Sequence, residues 1–161
     1  MFSVVLKKRI DVSNKLINWE FRNYGIRGIF QYLPSFIRPK PLFKAGIRSC
    51  PASTISMDTL LGNLYNDDRE NILVGVLVYM WVQPYLRNNR LGDFLLQLVT
   101  EESLLLGYEY LLLVHDDQGS GKLVEFYQRR GFFKIFNFVN KGMIAKLTDI
   151  KEMFNQMLST V

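Results

Sequence analysis

Ile72-Leu73-Val74-Gly75-Val76-Leu77-Val78-Tyr79-Met80-Trp81-Val82 is almost wholly apolar and rich in β-branched residues. That composition reads as a strand. It is too apolar for a strand with one wet face, so the pattern predicts a central strand covered on both sides. Pro84 ends it, because proline cannot donate to a ladder. After Gln83-Pro84-Tyr85-Leu86-Arg87-Asn88-Asn89-Arg90 comes a helical stretch from Leu91 to Leu106. There Leu91, Leu95, Leu98, Val99 and Leu105 share one face, and Gly107 stops the helix.

Downstream, Tyr110 to His115 reads as a second buried strand, Gly119 to Gly121 as a turn, and Lys122 to Arg130 as a two-turn helix stopped by Gly131. Phe132 to Val139 and Gly142 to Leu147 suit a hairpin around Asn140-Lys141, and Asp149 to Leu158 a last amphipathic helix. A right-handed crossover through a helix makes the first two strands parallel, while the hairpin is antiparallel. The expected fold class is α/β (α+β): a mixed central sheet with helices on its faces.

Upstream the pattern is weaker. Residues 2–6 suit a short strand. Asp11 to Tyr24 reads as a helix, with an Asp start and Leu16, Ile17, Trp19 and Phe21 clustered. Residues 33–51 carry Pro34, Pro39, Pro41 and Pro51, so a loop or short extended pieces are expected. Met57 to Tyr65 suits one short helix closed by Asn66-Asp67-Asp68. No hairpin is expected before residue 71.

The chain has 161 residues, 48% of them hydrophobic, which suits one domain over 1–161 with a sizeable core. One cysteine, Cys50, and one histidine, His115, exclude a disulfide framework, a Cys-cluster zinc site and a His-rich metal site. No metal is expected. No apolar run reaches the roughly 20 residues of a membrane span. A soluble intracellular protein, cytoplasmic by default, is therefore expected. The charge is lopsided: residues 1–50 hold ten Lys/Arg and two acids, net +8, and the remainder holds ten against thirteen, net −3. A basic first third has three readings: a solvated face, an organellar presequence, or a surface for an anionic partner. It shows no recognition helix or stacking motif, so no nucleic acid is expected.

The chemistry concentrates where the apolar strand turns into the helix. A helix start leaves backbone N–H groups unpaired with the positive end of the helix dipole behind them, a setting suited to phosphates. Asn88 and Asn89 can adopt a left-handed backbone there, and Arg87 and Arg90 add charge-assisted contacts. Gly119-Ser120-Gly121-Lys122 imitates a nucleotide phosphate loop, but Leu123 replaces the Ser/Thr that would hold magnesium, so that reading is rejected. His115 reads as a structural hydrogen-bonder, and Asp116 and Asp117 as turn residues. Asp67, Asp68 and Glu70 precede the central strand and read as a solvated loop. Cys50 has no base nearby in sequence.

The segment Val82 to Gly92 resembles the acyl-CoA binding motif of the GNAT superfamily of N-acetyltransferases, Val-x-Pro-x-x-[Arg/Gln]-x-x-Gly-x-[Gly/Ala]. Val82, Pro84, Arg87 and Gly92 match, and Arg90 stands where the first motif glycine belongs. Phe126-Tyr127-Gln128-Arg129-Arg130-Gly131-Phe132 is similar to the family's second motif, and Met143, Lys146 and Leu147 are similar to its closing strand. The resemblance covers roughly residues 71–148.

The resemblance implies a GNAT-like sheet splayed at its two central parallel strands. It implies acetyl-CoA as acyl donor, with the pantetheine arm beside Val82 and the pyrophosphate on Arg87, Asn88, Asn89, Arg90, Leu91, Gly92 and Asp93. Ser120 sits nearest a family asparagine that contacts the cofactor arm, and Lys122 is within sequence reach of a CoA phosphate. The implied reaction is direct attack by an amine on the acetyl carbonyl, with Tyr127 as general acid for the thiolate. The acceptor is an amine-bearing small molecule or protein, and a homodimer is one assembly the family allows. The alternative is a catalytically inactive GNAT-shaped CoA sensor or interaction module, favoured by Arg90 and by the absence of an expected N-terminal hairpin.

Overall fold

A computed structural model describes residues 4–11, 16–23, 40–51, 72–116, 119–135 and 141–159. Among them are the strands β1 (Val4–Asp11), β2 (Leu16–Asn23), β3 (Phe43–Pro51), β4 (Leu73–Val82), β5 (Tyr110–Val114), β6 (Phe133–Ile135) and β7 (Gly142–Lys146). The described helices are α1 (Leu91–Leu105), α2 (Lys122–Gln128) and α3 (Leu147–Ser159), and a short 3-10 turn covers Pro84–Leu86. The strands form one sheet in the order β1-β2-β3-β4-β5-β7-β6. The β4–β5 pair is parallel and the other pairs are antiparallel.

The crossovers β4–α1–β5 and β5–α2–β6 advance in the same direction across the sheet. Right-handed connections therefore put α1 and α2 on one face, and α3 packs against α1 there. Leu95, Leu96 and Val99 of α1, Val124 and Tyr127 of α2 and Ile150 and Phe154 of α3 meet Trp19, Phe43, Ile47, Leu77, Leu111 and Met143 of the sheet. A smaller cluster of Val74, Tyr110, Leu112, Ile135 and Ile144 lies apart from it and contains no residue of a described helix. The alternation along β5 separates the two: Leu111 and Leu113 join the first, Tyr110 and Leu112 the second.

The first third departs from the sequence reading. Leu16–Asn23 is a strand and not part of a helix, and Asp11, read as a helix start, is the last residue of β1. Ile17, Trp19 and Phe21 alternate with Asn18, Glu20 and Arg22, a period of two with the apolar members in the core. Over so short a window the same apolar residues also fit a helical face, and pairing on both sides by β1 and β3 decides the outcome. Phe43–Pro51, expected as loop or short pieces, is a nine-residue strand. Pro41 and Pro51 only bracket it. The N-terminal hairpin that the sequence reading lacked is therefore present as β1–β2–β3. The expected helix at Met57–Tyr65 and the tip of the last hairpin fall outside the described residues.

From β4 onward the expected elements stand. Gly107, at φ +80, closes α1. The prediction that β4 is covered throughout fails in its upper half, where Val78 is 46% and Trp81 36% exposed. Pairing explains this. Parallel register runs only from Val74↔Tyr110 to Leu77↔Leu113. Beyond it β4 stays with β3 up to Phe43↔Val82, while β5 stays with β7 to Val114↔Gly142. The two central strands part at Val78.

Candidate functional site

The parting of the strands coincides with an irregularity in β4. Ile47 pairs with Leu77, but Gly46 pairs with Tyr79, so one extra residue is inserted on β4. Such a bulge shifts the alternation. Below it Leu77 packs into the helix-side core, and above it Met80 and Val82 pack against that core. A cavity of about 680 Å³ opens at this point. Its walls are Met80, Trp81 and Val82 of upper β4, the loop after the 3-10 turn, the first turn of α1, and, after β5, Asp116, Ser120, Lys122, Leu123, Phe126 and Arg130.

Nine of the ten residues that the sequence assigned to an acyl-CoA line this cavity: Val82, Arg87, Asn88, Arg90, Leu91, Gly92, Asp93, Ser120 and Lys122. Asn89 does not. It stays outside the lining and its side-chain amide donates to the Leu86 carbonyl at 3.1 Å. The left-handed positions are Asn88 (φ 69) and Arg90 (φ 57), not Asn89. Arg90 thus adopts the backbone that the motif glycine would supply freely, and no hydrogen bond from its side chain caps the helix. Arg87 donates from Nε to the Val82 carbonyl at 3.3 Å and so lies across the end of β4. The Ser120 hydroxyl accepts from the Lys122 backbone N–H at 3.3 Å. With Asp93 paired to Arg130, the positive groups Arg87, Arg90 and Lys122 face one other lining carboxylate, Asp116.

Arg130 is the residue that sequence reasoning missed. Its guanidinium is ion-paired to Asp93 in the first turn of α1, donates to the Phe126 carbonyl at 2.6 Å, and lies 3.6 Å from the centre of the Phe126 ring. Phe126 in turn presses on Gly92, where a Cβ would sit 3.2 Å from its Cζ. The motif glycine is therefore occupied by a ring, and α1 and α2 are clasped along one wall of the cavity. The signal was present in the sequence: Phe126 and Arg130 are four residues apart, so they lie one turn from each other at the end of α2.

Tyr127 falls elsewhere. It is 5% exposed, lies edge-on to both Phe126 and Phe132, and belongs to the core and not to the cavity wall. Burial pushes its hydroxyl up to about 12, against an opposing pull from Arg130. His115 is buried and outside the lining, and its backbone N–H donates to the Lys141 carbonyl. Among the described residues no group of three His, Cys, Asp or Glu could hold a metal, and no helix is long and apolar enough to cross a membrane.

No family model and no curated protein sequence matches the chain. Solved structures do. The chain is similar to AtaTR bound with AcCoA (14% identity, TM-score 0.54, covering 88% of this chain and 74% of that one). It is also similar to AtaT complexed with acetyl-methionyl-tRNAfMet (14% identity, TM-score 0.54, 88% and 77%). A third is FeeM, an N-acyl amino acid synthase from uncultured soil microbes (14% identity, TM-score 0.55, 91% and 79%). Identity this low speaks for the fold alone. The chain shares the GNAT-like mixed α/β fold of these structures, the fold class that its motifs led one to expect.

Proposed function

We propose that this protein is an acyl-CoA-dependent N-acyltransferase that uses acetyl-CoA and an amine acceptor. The observation that carries the reading is the cavity at the parted strands with the first turn of α1 at its mouth. The edge of β4 from Val78 to Trp81, which no described strand pairs on the β5 side, offers backbone groups to an extended amide-bearing arm, as an added strand would. The amides of Leu91, Gly92 and Asp93, with Arg87, Arg90 and Lys122, suit a diphosphate. Bound there, an acyl-CoA supplies an activated carbonyl: the acceptor nitrogen bonds to it, the C–S bond breaks with its electron pair on sulfur, and the proton shed by nitrogen balances the one the thiolate takes up.

The acid for that thiolate is proposed to be Tyr127, from the motif resemblance. Its burial and its raised pKa favour the competing reading, a CoA-binding protein without turnover, in which Tyr127 is only a core aromatic. Of the two sequence features that favoured that reading, the missing N-terminal hairpin is withdrawn with the finding of β1–β2–β3, while Arg90 in place of the motif glycine remains. The expectation that nucleic acid plays no part draws no support from the fold neighbours, since AtaT is complexed with a charged tRNA. A tRNA-borne amine is therefore admitted among the acceptors.

Titration calorimetry with CoA is the first test. Binding is expected, weakened about tenfold in Arg87→Ala by loss of one charge-assisted contact; unchanged affinity would remove Arg87 from the site. Free-thiol release with an amine panel then separates the readings. Turnover that drops in Tyr127→Phe at unchanged CoA affinity supports the acid, and binding without turnover supports the sensor.

A further inference from the structure

The side of the sheet that carries no described helix holds, beside the parted strands, a second set of polar groups that the donor site does not use. Strand register sets Arg9, Asn18, Gly46 and Tyr79 in one row across β1 to β4, and Glu20, Lys44 and Trp81 in the next. Alternation puts these rows on the face away from Trp19, Phe21, Phe43 and Ala45, which pack beneath α1. Were β4 paired regularly, with Val78 opposite Gly46, Tyr79 and Trp81 would fall out of these rows; the bulge at Val78 brings them in.

The face is built and not merely solvated. The Tyr79 ring crowds Gly46, where a Cβ would come within 2.8 Å of its Cε1 and Cζ. Its hydroxyl donates to Asn18 Oδ1, and Lys44 Nζ stands 5.2 Å from its ring centre. The one carboxylate of the two rows, Glu20, is taken by Arg22 at 2.8 Å and 3.1 Å. Among the described residues no carboxylate pairs with Lys44 or Arg9. Trp81 belongs both to these rows and to the cavity wall, so the face and the cavity are continuous.

We infer that this face, at Tyr79, Lys44 and Trp81, is the acceptor subsite and that it selects an amine which also carries an acidic group, a carboxylate or a phosphate. The inference rests on the acyltransferase reading of the adjoining cavity. Charge complementarity fixes the class. A simple ammonium would be repelled by Lys44 and Arg9, whereas an acid on the same molecule gives those cations a partner. The same cations disfavour a positive charge on the acceptor nitrogen and so favour the neutral amine that attacks. Tyr79 and Trp81 offer flat surfaces against which the body of the acceptor can lie.

Two matched pairs test it with acetyl-CoA: phenylalanine against phenethylamine, and phosphoethanolamine against ethanolamine. The acid-bearing member of at least one pair is expected to be favoured about tenfold in kcat/KM, as for one charge-assisted hydrogen bond. The pair that shows it tells carboxylate from phosphate. Lys44→Met is expected to erase that preference through KM while CoA affinity and the thermal midpoint hold, and Lys44→Arg to restore most of it. Neutral members used equally well, or Lys44→Met lowering both members alike, would overturn the inference. Where none of the four turns over, their equilibrium binding to CoA-saturated protein decides, and acids that bind no better than neutral amines overturn it. Failure of the wild type to bind CoA strikes the donor reading instead, which the calorimetry reports separately.

Discussion

From Val74 to Leu77, β4 is paired on both sides, and Val74 and Leu77 are buried. From Val78 to Val82 the same strand keeps only β3 as neighbour, and Val78 and Trp81 are exposed. The two halves are equally apolar in sequence. What separates them is one inserted residue and the direction β5 takes, so apolar composition marks a strand that is central in the sheet without marking which part of it is covered. The lower half holds the molecule together; the upper half lends a free edge to the cavity.

Stability should divide the halves most sharply. Leu77→Ala is expected to cost about 3 kcal/mol, as for a truncated core leucine. Val78→Ala, one residue on, should cost less than about 1 kcal/mol. Comparable losses in chemical denaturation would mean that the upper half is as closed as the lower.

Next in size is a pH effect confined to the closed side. The Tyr127 hydroxyl has its pKa raised in the folded state to about 12, from the ordinary 10.0. The folded chain then holds a proton that the unfolded chain releases. The stabilisation is complete below pH 10.0 and is lost as pH rises toward about 12. Some 3 kcal/mol is at stake for a shift of this size, roughly 1.4 kcal/mol per unit. Denaturation curves across that window should flatten in Tyr127→Phe. An unchanged slope would mean that the hydroxyl reaches water.

On the open side, the Asp93–Arg130 pair sharpens the contrast. Arg130→Met leaves the Asp93 carboxylate unpaired beside the proposed diphosphate. CoA affinity is expected to fall several-fold, on the order of 1 kcal/mol. Asp93→Asn in the same chain should recover that loss by removing the repulsion. A double variant as weak as the single one would show that Arg130 acts only by clasping α1 to α2. The smallest effect concerns Arg90. Arg90→Gly relieves a left-handed non-glycine backbone and should raise stability by about 1 kcal/mol, while removing a cation from the cavity mouth. A drop in the thermal midpoint would indicate that the Arg90 side chain contributes more than its backbone costs.

Legibility in the sequence followed the range of the interactions. The elements from β4 onward declared themselves because their signals are local: an apolar run, a helical face, a stopping glycine. The position of the loop from Arg87 to Asp93 between a strand end and a helix start was legible for the same reason, and the diphosphate placed there is the proposal built on it. β2 and β3 were misread. Ile17, Trp19 and Phe21 fit two periods over so few residues, and a strand inside a proline-rich stretch is stabilised by neighbours distant in sequence. Asn89 was chosen for its residue type, yet the turn placed the left-handed backbone at Asn88 and Arg90.

The sequence by itself determined where the central strand lies, that a helix begins at Leu91 with cations before it, and that no cysteine or histidine cluster can hold a metal. Each of these depends on neighbours within a few residues or on simple counting. Only the tertiary structure decided the register that skips Val78, the parting of β4 from β5, the burial of Tyr127, and the clasp of Arg130 on Asp93. Those outcomes depend on which strands pair and which faces meet, and that is settled by packing between segments dozens of residues apart.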